Sequence, residues 1–173
     1  MMRVSAWPAL PALVVFALGW AGCGYYSFTG ASIPAHLETV AIPLAEDRSG
    51  SAQPNLVEDL TEQLITQFVR QTRLQLGEEG TATALLTASI DGYRNEPVSV
   101  SGDEQATLNR VTIRVTARYY DQVEDRELMP SRSFSAFGEY DPVEAGLDGE
   151  FVAAAEALEA LSTDIFTAAT SDW

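Results

Sequence analysis

Lysine is absent from this 173-residue chain: all ten basic residues are arginine, against 25 acidic ones, and the formal net charge is −15. So acidic a chain is not held to nucleic acid by bulk attraction to phosphates, and its average field does not draw it to an anionic membrane. Acid-rich, lysine-free surfaces fit proteins of high-salt habitats, although a GC-rich genome also exchanges lysine for arginine. Cysteine occurs once, at Cys23, so no internal disulfide can form. Histidine also occurs once, at His36, which excludes a cysteine–histidine zinc cluster. His36 reads as a surface residue ahead of the first strand. Neither GxxxxGK[ST] nor GxGxxG is present, so no phosphate-cradling loop is visible. Adjacent acids stand at Glu78-Glu79, Asp103-Glu104 and Glu124-Asp125. A glycosidase-like hydrolase uses two carboxylates, but these lie in predicted turns, where solvation accounts for them. The inventory assigns no catalytic residue, no metal ligand and no cofactor, and argues against an enzyme.

The apolar run Trp7 to Trp20 follows a single charge, Arg3, and closes on the small residues Ala21 and Gly22 just before Cys23. A charged start, a greasy middle and a small-residue cut make a secretory signal over residues 1–22. The run is shorter than the roughly 20 residues a spanning helix needs. A cysteine at the cut resembles the bacterial lipobox, whose thiol is acylated, with palmitate for example, and becomes the new N-terminus. Trp20 stands where that motif usually has leucine. An ordinary signal peptide with an incidental cysteine, or an N-terminal anchor, is the plainer alternative. Gly24, in place of an aspartate that would retain the chain at the inner membrane, favours the outer membrane. Residues 23–36 read as a lipidated N-terminus and tether, and residues 37–173 as one domain, long enough to bury a core.

Within that domain Thr39 to Pro43 is β-branched and reads as a first strand. Ala45 to Pro54 is a polar loop, and Asn55 is placed to cap a helix. Leu56, Leu60, Leu64 and Phe68 give that helix one apolar stripe, with Glu58 and Asp59 early and Arg70 late, as the helix dipole prefers. Thr83 to Tyr93 reads as a strand and Glu96 to Glu104 as an exposed connection, with a strand-like Val98 to Val100 as the alternative. Leu108 to Asp121 alternates most clearly: Val111, Ile113, Val115, Ala117 and Tyr119 on one side, polar residues on the other. Glu124 to Pro130 makes a hairpin loop, and Ser133 to Tyr140 returns antiparallel. Glu150 to Ala169 is a second helix with Ala154, Leu158, Leu161 and Ile165 in a stripe. The expected fold is α+β: a small, mostly antiparallel sheet with two helices packed on one face, in the order β-α-β-β-β-α.

Arg110, Arg114 and Arg118 share the wet face of the alternating strand, where each two-residue step covers about 7 Å. A solvent face paired across the sheet with acids such as Asp91 and Glu139 explains them most simply. An anion or partner contact is the sharper alternative, because the guanidinium fork donates two hydrogen bonds at once.

Tyr26-Ser27-Phe28-Thr29-Gly30-Ala31-Ser32-Ile33-Pro34, Asn109-Arg110-Val111-Thr112-Ile113, Phe134-Ser135-Ala136-Phe137 and Asp164-Ile165-Phe166, in this order of elements, resemble the LptE family of lipopolysaccharide-assembly lipoproteins, especially the versions of Bacteroidetes-like bacteria. The resemblance covers nearly the whole mature chain. It implies an outer-membrane lipoprotein on the periplasmic side, anchored through Cys23. Such a protein plugs an LptD-like β-barrel, helps it assemble and supports lipopolysaccharide insertion into the outer leaflet. It also implies contact with lipopolysaccharide through basic residues, none of which is carried over to a position here; Arg110, Arg114 and Arg118 are the candidates for anion or barrel contact. The absence of lysine departs from that pattern. A free-standing periplasmic lipoprotein that binds a small anionic or sugar ligand is the alternative function.

Overall fold

The computed structural model describes residues 33–99 and 107–171. Cys23, the signal and the first part of the tether lie outside the described residues. The elements run β1 (Thr39–Ala41), β2 (Glu46–Asp47), α1 (Leu56–Gln71), β3 (Gln75–Leu76), β4 (Ala84–Ser99), β5 (Thr107–Asp121), β6 (Arg126–Tyr140) and α2 (Gly146–Ser171). They form an α+β fold, in which the strands lie in the order β3-β1-β4-β5-β6 and β2 also pairs with β4. The long β4, β5 and β6 are antiparallel. The short β1, β2 and β3 add parallel pairings at the other edge.

The alternation in β5 does what the sequence predicts. Val111, Ile113, Val115, Ala117 and Tyr119 are all buried on one face of the sheet. Both helices lay their stripes there, and one cluster holds Leu60, Leu64 and Phe68 of α1 together with Leu158, Leu161 and Ile165 of α2. Phe68 meets Phe166 edge-on at 5.3 Å between centroids. Burying such side chains contributes about 1.5–3 kcal/mol each.

Several boundaries differ from the expectation, each for a local reason. Asn55 does not cap α1 with its side chain; it sits at φ 63° and its carbonyl accepts the Asp59 N–H at 2.8 Å. Asparagine tolerates this left-handed backbone better than most residues. β4 runs past Tyr93 to Ser99, into the connection expected over Glu96 to Glu104, because β5 pairs with it throughout; the rest of that connection lies outside the described residues. A bulge between Ile90 and Gly92 shifts the register there. It lets Tyr93 follow Ile90 onto the helix face, where its hydroxyl donates to Glu150 Oε1 at 2.7 Å. The β5–β6 loop is tighter than expected, since β6 begins at Arg126. Pro130 lies inside this edge strand, at a register shift, a place that tolerates a residue with no N–H to donate. β2 falls inside the loop expected over Ala45 to Pro54, and β3 lies where no element was expected; two residues each carry too little pattern to be read.

Tyr119 is fully buried against Phe68, yet its hydroxyl has no hydrogen-bond partner among the described residues. Burial raises its pKa, and the Asp121 carboxylate raises it further. Removing a buried, unsatisfied hydroxyl relieves a desolvation cost of about 1–3 kcal/mol. Tyr119→Phe is therefore expected to raise the melting temperature in a thermal scan; a clear fall would show that the hydroxyl is bonded after all.

Candidate functional site

The face of the sheet away from the helices carries the even-numbered residues of β5. Neighbouring members of the row Arg110, Arg114 and Arg118 are four residues apart, so about 13 Å separates them along the strand. Two of the three are neutralised locally. Arg110 holds Glu139 through Nε at 2.8 Å and lies 4.3 Å from the Phe137 ring centroid. Arg118 Nε meets Glu127 Oε1 at 2.8 Å, with the Tyr120 ring 5.0 Å away. Glu139 thus pairs as expected. Asp91 does not: the bulge takes it out of register, and it accepts from Ser89 Oγ at 3.0 Å instead.

Arg114 is exposed, between Gly92 and Ser135 on the neighbouring strands, and has no ion-pair or hydrogen-bond partner among the described residues. Sequence reasoning missed its neighbour, Arg94. Arg94 pairs with Thr112 and so stands diagonally across from Arg114, also exposed and unpartnered. Diagonal cross-strand neighbours lie about 7–8 Å apart, within reach of long side chains. Arg94 falls just past the strand expected over Thr83 to Tyr93, where the sequence assigns it no face, and only the bulge-shifted register brings it to this one. Among the described residues of this face, Arg94 and Arg114, rather than the full row, are the guanidinium groups with no carboxylate at ion-pair distance.

Next to it a groove of about 480 Å³ opens over the Arg118 end of the sheet. The chain leaves β4 after Ala41 and rejoins it at Glu46, so residues 42–45 form an arch. Thr61 Oγ1 holds the arch by accepting the Ala45 N–H at 3.0 Å. Pro43 and Leu44 of this arch line the groove, with Thr87, Thr116 and Ser131 from the three long strands.

His36 is not the detached surface residue expected. Its Nε2 lies 2.6 Å from Oδ2 of the fully buried Asp121, and its Nδ1 lies 3.7 Å from Glu124 Oε1. Asp121 Oδ1 accepts the N–H groups of Val123 and Glu124 at 2.9 and 3.0 Å, which closes the β5–β6 turn. Burial acts to raise the Asp121 pKa. The Glu124 N–H, His36 and the Val123 N–H together outweigh it and hold the carboxyl below its ordinary range. These three acid and imidazole groups come close enough to be considered for a metal ion. They address opposite nitrogens of one ring, however, and Arg126 Nε holds Glu124 at 2.8 Å. The arrangement suits a bridge that fastens the entering chain to the hairpin turn. Arg73 fastens it a second time, by donating to the carbonyls of Ile33 and Pro34 at 3.1 and 2.5 Å.

The three described family-typical strings fall on β5, β6 and α2, and Val111, Ile113, Phe134, Ile165 and Phe166 within them are buried. They carry the fold and not a reactive site. No helix among the described residues is long and apolar enough to cross a membrane.

Comparison with known proteins agrees with this fold. A hypothetical protein from Chlamydia trachomatis superposes with a TM-score of 0.53 at 11% identity, covering 79% of this chain and 99% of its own. A minor lipoprotein from Acinetobacter baumannii gives 0.50 at 16% identity, covering 79% and 93%. A protein from Xanthomonas campestris gives 0.54 at 12% identity, covering 79% and 87%. Identities this low speak for the fold alone. No curated protein matches the sequence. The model of one family, LptE, described as lipopolysaccharide-assembly, matches residues 37–169. A match over that much of the chain places this protein in the LptE lipopolysaccharide-assembly family.

Proposed function

We propose that this chain is a non-enzymatic lipoprotein subunit of an outer-membrane translocon, anchored through acylated Cys23 on the periplasmic side. It plugs an LptD-like β-barrel, helps that barrel assemble and so supports lipopolysaccharide insertion into the outer leaflet. The family match over residues 37–169 carries this reading. The mechanism is complementarity of shape: a layered domain with a rigid sheet face fills a lumen that otherwise leaks. Several acyl chains hold far better than one, since each buried CH₂ contributes about 0.8 kcal/mol.

A tagged copy from detergent-solubilised outer membranes is expected to bring down a large β-barrel in stoichiometric amount. Recovery of a monodisperse monomer overturns the plug reading. In the same cells a fatty-acid analogue labels the wild type, and Cys23→Ala abolishes the label. Label that persists in Cys23→Ala removes the anchor from the proposal.

A net charge of −15 repels lipid phosphates on average, so any direct contact with lipopolysaccharide needs a local exception. Arg94 and Arg114 provide one. Arg94→Gln with Arg114→Gln is expected to weaken binding of lipid A in a salt-dependent titration. Arg110→Gln with Arg118→Gln is expected to weaken it less, because Glu139 and Glu127 already compensate those charges. Equal losses in the two double variants would count against the choice of pair.

A further inference from the structure

The groove beside the arch has chemistry of its own. Its volume of about 480 Å³ lies within the range of about 300–1,000 Å³ common to small-molecule sites. Its floor is built from two cross-strand pairs, Thr87 with Arg118 and Ser89 with Thr116. The register shift in β6 puts Pro130 and Ser131 opposite Arg118, and Ser131 enters the lining. Thr87, Thr116 and Ser131 have no hydrogen-bond partner among the described residues. Three hydroxyls therefore stand in one recess, each able to donate one hydrogen bond and accept others.

The charge in the recess is largely cancelled. Arg48 lies against Glu46 at 2.5 Å, and Arg118 against Glu127 at 2.8 Å. Glu79 also lines the groove and adds a carboxylate without a guanidinium beside it. An anion gains nothing from such a lining. The apolar surface is limited: Pro43 and the largely exposed Leu44 at the rim, with Leu85 and Tyr120 in a smaller recess that shares Thr87 and Arg118. A wholly apolar guest would leave the hydroxyls unpaired, at the cost of an unmade hydrogen bond each. A guest that suits every wall carries hydroxyls around its edge and C–H groups on its faces, and is uncharged. We infer that the groove between the 42–45 arch and the β4–β5–β6 face is a binding site for an uncharged saccharide unit. The floor hydroxyls and the ion-paired Arg118 bond its hydroxyl groups, and Pro43 and Leu44 cover its C–H face. This site is separate from the Arg94–Arg114 pair and does not rest on the barrel partnership.

The test uses the full acylated chain in an amine-oxide detergent, because a maltoside would itself present sugar. The probes are the methyl glycosides of glucose, galactose and mannose, read by saturation-transfer NMR and titration. At least one is expected to receive saturation at its ring protons. Thr87→Val with Thr116→Val is expected to weaken it about tenfold, as for two neutral hydrogen bonds lost. Thr87→Ser with Thr116→Ser, which restores both hydroxyls, is expected to recover the affinity, so a mere packing defect is told apart from lost recognition. A neutral glycolipid dispersed in the same detergent separates two sources. Competition stronger than that of the free glycoside assigns the site to a lipid-borne glycan, and equal competition to a free saccharide. Absence of saturation transfer from all three glycosides overturns the inference. So does unchanged binding in the double valine variant, or displacement of the glycoside by inorganic phosphate.

Discussion

Gly138→Val should unseat the second helix. A Cβ at position 138 would lie 2.2 Å from the carbonyl oxygen of Ala153 and 2.8 Å from its Cα. Those atoms belong to the backbone of α2 and cannot swing aside as a side-chain tip can. The helix reaches β6 this closely because Gly138 has no side chain and because Ala153, Ala154 and Ala157 present little of their own. Gly149 allows the same approach one turn earlier, where an added Cβ would come within 2.6 Å of the Tyr140 ring. Overpacking a core contact costs about 1–3 kcal/mol and occasionally more. Here the clash is with main chain, so about 3 kcal/mol is expected, or a fall of about 10 °C in melting temperature for a domain of this size. Gly80→Ala is the control: nothing lies within 4 Å of its added Cβ, and its melting temperature should stay near that of the wild type. A Gly138→Val variant as stable as the wild type would mean that α2 does not sit on β6 as described.

Loss of the Asp121 carboxylate should be comparably severe and should depend on pH. Asp121→Ala leaves His36 Nε2 and the N–H groups of Val123 and Glu124 without their acceptor. A buried donor left without its acceptor costs about 1–3 kcal/mol, and three donors are stranded together here. His36 is only partly buried and water can reach it, so the lower end of that range is expected for it. The pKa of Asp121 is lowered in the folded state. Its contribution is therefore fully present above the unfolded carboxyl value of about 3.9 and is lost as pH falls through the lower folded value. Denaturant midpoints taken from neutral pH down into that acidic window should fall for the wild type. The part of the fall that belongs to Asp121 should be missing in Asp121→Asn, which keeps an acceptor for the turn but does not ionise. Parallel curves for wild type and Asp121→Asn would show that the carboxylate is not stabilised by folding. The variant also tests how the entering chain is fastened. With His36 released, the backbone around Pro34 should exchange its amide hydrogens faster.

What could be read from the chain alone was whatever has a period. The stripes of both helices and the alternation of β5 each repeat a local rule over many residues, and all three are buried as expected. They give the α+β class and the single face that both helices share, because a periodic apolar surface can be satisfied in few ways. Three features depended on register and so on tertiary structure. The Ile90/Gly92 bulge removes Asp91 from the arginine row and brings Arg94 to Arg114. Residues 42–45 become the wall of a groove only because the segments on either side of them both pair with β4. His36 finds Asp121 across 85 residues of sequence. Side-chain periodicity specifies which residues face inward, but a one-residue shift between two strands changes every neighbour across them. That is why the core could be inferred from the sequence, while the polar groupings on the opposite face had to wait for the folded chain.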